Sequence, residues 1–381
     1  MIYFDNAATT FPKPEVLYDA LDKGQRELAF NAGRGDYKKA HEAHLIIEET
    51  RDFLCAKANA KTMIFASSAT QALNQIIAGI SFTEGDVVYC SPYDHNAVAR
   101  TLYAYSKKDK FILKQIPLKN DLSVDLDKFE FDVIRDKPCA IFCTHVSNVT
   151  GYILPIEQIG EIAKRNNSIF VVDGAQAFGL IEVNMEQESI DYYVFAGHKT
   201  LYGPFGVAGY FTNKLNDLNV TVFGGTGSDS LNLKMPKEGT LRYEPSSHNV
   251  VAINGLLASA KWVFSTPILN HEKKLYEYSL EKLQEIDEVT LYLMPKYSTT
   301  GIISFNVDRF SSLDISKILS EEYDIALRAG YHCAPFVHEY LNDKQFLGTV
   351  RLSVGYFNTK EEIDKFIEVM KGNKDIFKVI L

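Results

Sequence analysis

Between residues 63 and 211 the chain repeats one pattern: a short run of apolar, β-branched or aromatic residues, a cluster of small and polar ones, then apolar residues at helical spacing. Residues 63–66, 86–91, 140–145, 168–172 and 192–196 read as buried strands, while 71–78, the segment opening at Asp94-His95-Asn96, and 155–166 read as helices. Such alternation predicts a mostly parallel sheet covered by helices on both faces, with one more apolar strand at 207–211 after Gly203-Pro-Phe-Gly206. Upstream, 41–56 has helical spacing, and Pro12 and Pro14 open a helix that carries Leu17 and Leu21. Downstream, 249–266 and 267–286 read as two long helices, the second with Glu/Lys pairs on a solvated face. The rhythm then changes to a strand at 301–307, a helix at 313–323, a strand at 349–357 and a last helix that starts on the capping pair Thr359 and Glu362. The expected architecture is an α/β large domain, residues 14–263, a smaller α+β C-terminal domain, 264–381, and an N-terminal segment, 1–13, that joins them.

Composition narrows the function classes. At 381 residues the chain exceeds the ~250–300 at which one core stops growing, in keeping with two domains. Acidic side chains outnumber basic ones, 49 to 40, for a net charge of −9, which argues against non-specific binding to nucleic acid or to an anionic membrane. No stretch approaches the ~18 apolar residues of a membrane span, and no basic region followed by an apolar run opens the chain, so the expected location is the cytoplasm. Five cysteines, Cys55, Cys90, Cys139, Cys143 and Cys333, are scattered without a Cys-x-x-Cys pair, which suggests neither a disulfide framework nor a metal site. Cys90, Cys139 and Cys143 lie in or beside apolar runs. Cys333 stands between His332 and Ala334-Pro335 in a glycine-containing loop, a poor place for a core thiol.

In sheets of this kind ligands bind outside the carboxyl ends of the strands. Ser67 to Thr70, His95, Asn148, Asp173, Gln176, His198 and Lys199 all fall there. Each has an ordinary reading too: Ser67 to Thr70 as a simple helix cap, His95 as a cap or packing residue, Lys199 as a solvated lysine. The small residues of 3–10 are either an arm docked on the body or backbone open to a ligand, and Arg34 either binds an anion or caps a turn. Together, a lysine at one strand end, an aspartate at the end of the preceding strand and a hydroxyl-rich turn before a helix are what pyridoxal phosphate (PLP) requires. The lysine bonds the cofactor, the carboxylate keeps the ring nitrogen protonated, and the turn grips the phosphate.

At these residues the sequence resembles the class V aminotransferase-like, fold-type I PLP enzymes, and among them the cysteine desulfurase and selenocysteine lyase group. The resemblance runs from Tyr3 to Asp364 and rests on Asp5-Asn-Ala-Ala-Thr9, His145-Val-Ser-Asn148, Asp173-Gly-Ala-Gln176, Gly197-His-Lys199 and Arg328-Ala-Gly-Tyr-His-Cys-Ala-Pro335. It implies that Lys199 bonds the cofactor and moves the substrate Cα proton, that Asp173 pairs with the ring nitrogen, that Gln176 bonds the ring hydroxyl, and that His95 stacks on the ring and assists proton transfer. Ala69, Thr70 and His198 would hold the phosphate, and Asn148 and Arg351 the substrate carboxylate, with Asn148 also near the cofactor and Ala8 and Arg328 lining the substrate site. Cys333 would take the sulfur as a thiolate, with Arg328 and His332 as cationic neighbours. The implied reaction converts L-cysteine to L-alanine, leaves a persulfide on Cys333 and passes its outer sulfur to an acceptor protein. The implied assembly is a homodimer with both sites at the interface.

Three positions depart from the family pattern. Ala196 stands where relatives often carry a phosphate-binding serine, Tyr331 where many have histidine, and Glu244-Pro-Ser-Ser-His-Asn249 where the usual loop holds a threonine that reaches the partner subunit's phosphate, a role Ser247 can take. The same resemblance admits a selenocysteine lyase or another lyase or epimerase of the superfamily, although an epimerase has no use for Cys333. A scaffold without catalysis in a sulfur-assembly complex is the remaining alternative.

Overall fold

The computed structural model describes residues 1–32, 35–228, 231–294 and 299–372. Arg34, read above as an anion ligand or a turn cap, lies outside the described residues.

A seven-stranded sheet forms the body, in the order Thr62–Ala66, Ala208–Thr212, Tyr192–Ala196, Ile169–Asp173, Ala140–Thr144, Val87–Cys90, Ile112–Gln115. Only Ala208–Thr212 runs antiparallel to its neighbours. Both faces are buried, and the side chains of each strand alternate between two cores. Phe65, Tyr89, Ile141, Val172 and Phe195 point into one, under the helices Lys38–Ala58, Ile156–Arg165 and Val250–Val263. Ile64, Val88, Phe142, Val171 and Val194 point into the other, under Ala69–Gly79 and Asn96–Asp109. This two-sided burial explains why the strands read as unbroken apolar runs. The edge strand Ile112–Gln115 and the helix Leu126–Asp136 carried no expectation: at that edge the short apolar run Phe111-Ile112-Leu113 gives way to Lys114 and Gln115, and Ile112 is exposed while Lys114 and Gln115 are half-buried.

A second, antiparallel sheet has the order Arg328–Gly330, Thr349–Ser353, Ile302–Val307, Val289–Leu291, and packs its own core against the helices Ile268–Gln284, Ser312–Tyr323 and Lys360–Gly372. The strand expected at 349–357 stops at Ser353. Beyond it the Gly355 amide donates to Asn358 Oδ1 at 2.8 Å, so the backbone turns to a side chain instead of extending the ladder. The capping pair forms as expected, Glu362 N donating to Thr359 Oγ1 and Thr359 N to the Glu362 carboxylate.

The first residues act as a strap. Ile2–Tyr3 pairs in parallel with Ile325–Ala326, Asp5 bridges to Ser353, and the Asn6 amide group donates to the Ser353 carbonyl and the Asn358 side chain. From there the strap crosses to the ends of the parallel strands. No helix among the described residues is long and apolar enough to cross a membrane.

Candidate active site

The strand Tyr192–Ala196 ends at Gly197, where a Cβ would meet the Val207 carbonyl at 2.6 Å, so only glycine lets the two strands close while the chain turns out of the sheet. His198 and Lys199 occupy that turn, and the strap grips their carbonyls. Thr9 Oγ1 and Lys13 Nζ donate to His198 O at 2.9 and 2.7 Å, and Thr10 Oγ1 donates to Lys199 O at 3.0 Å. Burial pushes the Lys13 ammonium down to about 7. None of Thr9, Thr10 or Lys13 had a role in the sequence reading; a lysine between two prolines gives no signal of its target 185 residues away.

Lys199 is partly buried, and burial lowers its amine below the ordinary range; Arg351 and Arg328 push the same way, while Asp173 and Cys333 oppose them. Four groups from three separate segments are thus within electrostatic reach of one amine. Asp173, at the end of Ile169–Asp173, is buried and accepts from Ala175 N at 3.1 Å; burial raises its carboxyl and Lys199 draws it down. A second carboxyl, unforeseen, lies close by. Asp94 is fully buried, accepts from Ser91 N through Oδ2, and is pushed up to about 8 by burial, with the charge of Asp173 adding to the rise.

His95 caps the helix Asn96–Asp109, its Nδ1 accepting from Ala97 N at 3.0 Å, so the ring proton sits on Nε2. Burial, then Lys199 and the nearby guanidinium groups, bring it down to about 3, and the ring is neutral at physiological pH. Gln176 donates its amide to Ala7 O at 2.6 Å and so fastens the strap to the body; Ala8 is half-buried in the turn that follows, its N–H bonded to Asp5 O.

On the expected phosphate side, Ser68 fills the bland reading by capping Ala69–Gly79, and Ser67 bonds Gln71; Ala69 and Thr70 form the first turn, Thr70 exposed. His198 stacks on Phe205 with ring centroids 4.5 Å apart, is pushed down to about 4 by burial, and leaves Nδ1 buried without a partner. Ser247 is exposed and shares a cavity of about 250 Å³ with Ser67, Gln71 and His248. Its loop is anchored by Glu244, which pairs with Arg51 at 2.9 Å and His248 at 3.0 Å.

The Cys333 loop leaves the strand Arg328–Gly330 through left-handed backbone, with φ of 100° at Gly330, 44° at His332 and 58° at Cys333. It is pinned on both sides: Asn96 N donates to Cys333 O at 2.6 Å and Asn148 Nδ2 to His332 O at 2.7 Å. Arg328 Nη2 reaches Cys333 Sγ at 3.4 Å. The expectation that His332 adds a second cation is corrected. Its ring is buried, with Nε2 held by Thr349 at 3.0 Å, and burial together with Arg351 takes its pKa well below the usual value. Among the described residues, Arg328 is the one that brings positive charge into contact with the thiol. Arg351 lies opposite Arg328 in the sheet, fully buried; Nη1 donates to Asn148 O at 2.8 Å, Nη2 to Asp5 Oδ1 at 2.6 Å, and Nε has no partner. The guanidinium group expected to hold a substrate carboxylate therefore holds one from the strap.

Over nearly its whole length the chain is similar to known proteins. The aminotransferase class-V family matches residues 2–366. A probable cysteine desulfurase of Pyrococcus abyssi is 30% identical over 97% of this chain and 94% of its own length, and one of Borreliella burgdorferi is 31% identical over 97% and 91%. The solved apo structure of the cysteine desulfurase from Thermococcus onnurineus NA1, 29% identical, matches 97% of this chain and 94% of its own with a TM-score of 0.90.

Proposed function

This chain belongs to the aminotransferase class-V family, and from that premise we propose that it is a PLP-dependent cysteine desulfurase, taking sulfur from L-cysteine, releasing L-alanine and holding the sulfur as a persulfide on Cys333. The observation that carries the reading is that Asp173 and Cys333 both lie within electrostatic reach of the Lys199 amine, with Arg328 against the Cys333 thiol.

The residues present suit the cofactor. Asp173 offers a buried carboxylate for the ring nitrogen, His198 an unpartnered nitrogen and Ala69 and Thr70 a helix start for the phosphate, and Lys199 an amine inclined to lose its proton. When bound, PLP supplies an electron-withdrawing ring that acidifies the Cα–H bond of the substrate. Lys199 Nζ takes that proton, while Arg351, exchanging the Asp5 carboxylate it holds for that of the amino acid, orients the substrate beside Asn148. His95, its Nδ1 fixed by Ala97, has a neutral ring with Nε2–H available to a proton transfer. The thiolate of Cys333, with Arg328 Nη2 against its sulfur, attacks the sulfur of the substrate; the C–S bond breaks, its electron pair stays with the carbon skeleton that leaves as alanine, and an S–S bond forms on Cys333.

Alanine release from L-cysteine by the PLP-loaded protein, with a thiol reductant present and beside Cys333→Ala, tests the reading. The parent is expected to release alanine and the variant to lose nearly all of it; equal release from both would overturn the role of Cys333, and none from either would overturn the choice of L-cysteine over L-selenocysteine or another amino acid.

The same reading divides the chain into a large cofactor domain, 14–263, and a small domain from 264, joined by the strap. It makes the protein a cytoplasmic homodimer in which Ser247 reaches the cofactor phosphate of the partner subunit. Phe223, Leu231 and Leu233, 75%, 98% and 101% exposed in the segment leading to Ser247, support such an interface, since a second copy would cover apolar side chains that a single chain leaves in water.

A further inference from the structure

We infer that the groove outside Cys333 is the docking surface of the sulfur acceptor, and that it fits an acidic segment of another protein presenting a cysteine thiol. This rests on the reading of Cys333 as the persulfide carrier. A cavity of about 730 Å³ opens between the helix Asn96–Asp109 and the Cys333 loop, with Arg100 and Tyr103 on one wall and Arg328, Tyr331 and Phe336 on the other. Its lining holds two guanidinium groups and no carboxylate, on a chain whose net charge is −9. The charge pattern continues outward. Arg100, Tyr103 and Lys107 share one face of the helix, and the Lys107 ammonium lies 5.2 Å from the centre of the Tyr103 ring.

Both tyrosines are exposed, Tyr103 by 60% and Tyr331 by 45%. Tyr331 is braced edge-on against buried His338, ring centroids 5.1 Å apart, and His338 in turn is held by Asp343 at 2.5 Å. Braced aromatic rings beside arginines are the composition of binding hot spots. The groove is also far larger than one small thiol requires, and a free amino acid or reductant would leave its tyrosine walls uncovered. A protein segment with acidic residues around its cysteine covers them and is steered by Arg100, Lys107 and Arg328.

The transfer balances without an oxidant or reductant. The acceptor thiolate attacks the outer sulfur of the Cys333 persulfide, a new S–S bond forms on the acceptor, the Cys333 S–S bond breaks, and Cys333 leaves as a thiolate beside Arg328.

The test loads the PLP holoenzyme with L-cysteine in one turnover, verifies the persulfide by intact mass, and follows its discharge by two synthetic peptides, each with one cysteine, flanked by aspartates or by lysines. Each rate is divided by the rate of the same peptide with a low-molecular-weight disulfide, which removes differences in thiol acidity. The acidic peptide is expected to discharge Cys333 about tenfold faster than the basic one at low salt, with the gap shrinking at ~0.5 M salt. Arg100→Glu is expected to reverse the order and Lys107→Glu to move it the same way by less, while loading and alanine release stay unchanged. Tyr103→Ala should slow the acidic peptide and leave dithiothreitol discharge as it was. Loading followed by charge-blind discharge, or an order that survives Arg100→Glu, overturns the docking surface alone. Failure to load overturns the desulfurase reading and this one with it.

Discussion

Arg351 is fully buried, and two of its three nitrogens are engaged, one by Asp5 and one by the Asn148 carbonyl. Its fork geometry decides the consequence of change, because lysine keeps the charge and loses both the fork and its contacts. Arg351→Lys is expected to raise KM for L-cysteine about tenfold, with a smaller change in kcat, in steady-state alanine release. Lys199 is governed by charge in the other direction. Asp173 gives the largest contribution holding its proton on, so Asp173→Asn should lower the pH at which Lys199 of the PLP-free protein becomes reactive to an amine reagent. Lys199, Asp173 and Cys333 were legible in the sequence because each ends a strand or breaks a pattern. The Asp5 partner of Arg351 was not, although the motif containing it was noticed: the two residues are 346 apart and nothing local announces their pairing.

At the scale of elements, local chemistry reads well and tertiary capture does not. The last helix was legible from Thr359 and Glu362 because the cap is a contact between residues three apart. Thr359→Ala should lower stability by about 1 kcal/mol in thermal unfolding without altering alanine release, since the pair is far from Lys199 in role and exposed. The preceding strand was read four residues too long because 354–357 keeps an extended look in sequence, whereas the Asn358 side chain takes the Gly355 amide. The edge strand Ile112–Gln115 failed for the opposite reason, having a register with its neighbour and little apolar signal. The loop of Cys333 belongs here too. Its conformation is held by Asn96 and Asn148, from two different strand ends, so the loop that looked independent is built onto the rim of the sheet.

Across the whole molecule, strap, body and antiparallel sheet meet at Glu272. This glutamate is 5% exposed, borders a small cavity with Asn6, Gln176 and Ser353, and accepts from the Tyr202 hydroxyl at 3.5 Å. Burial pushes its carboxyl up from 4.5 to about 8. The unfolded chain ionises this group near 4.5 while the folded protein keeps the proton, so its favourable contribution is complete below that pH and is lost as the pH rises through 8. Between pH 7 and 9 the parent should lose about 1 kcal/mol on this account, and Glu272→Gln should flatten that part of the curve of melting temperature against pH. The strap carries one more consequence. Its first strand pairs with 325–326, its Asp5 with Arg351, and its Thr9, Thr10 and Lys13 with the carbonyls of 198 and 199. Translation delivers these residues before their partners, and of those partners 325–326 and Arg351 follow long after the turn at 198–199. A ribosome that has released residue 300 has made the seven-stranded sheet, Lys199 and Asp173, but not the strands that seat residues 2–5, so the turn at 198–199 gains its full set of braces only after Arg351 has been made.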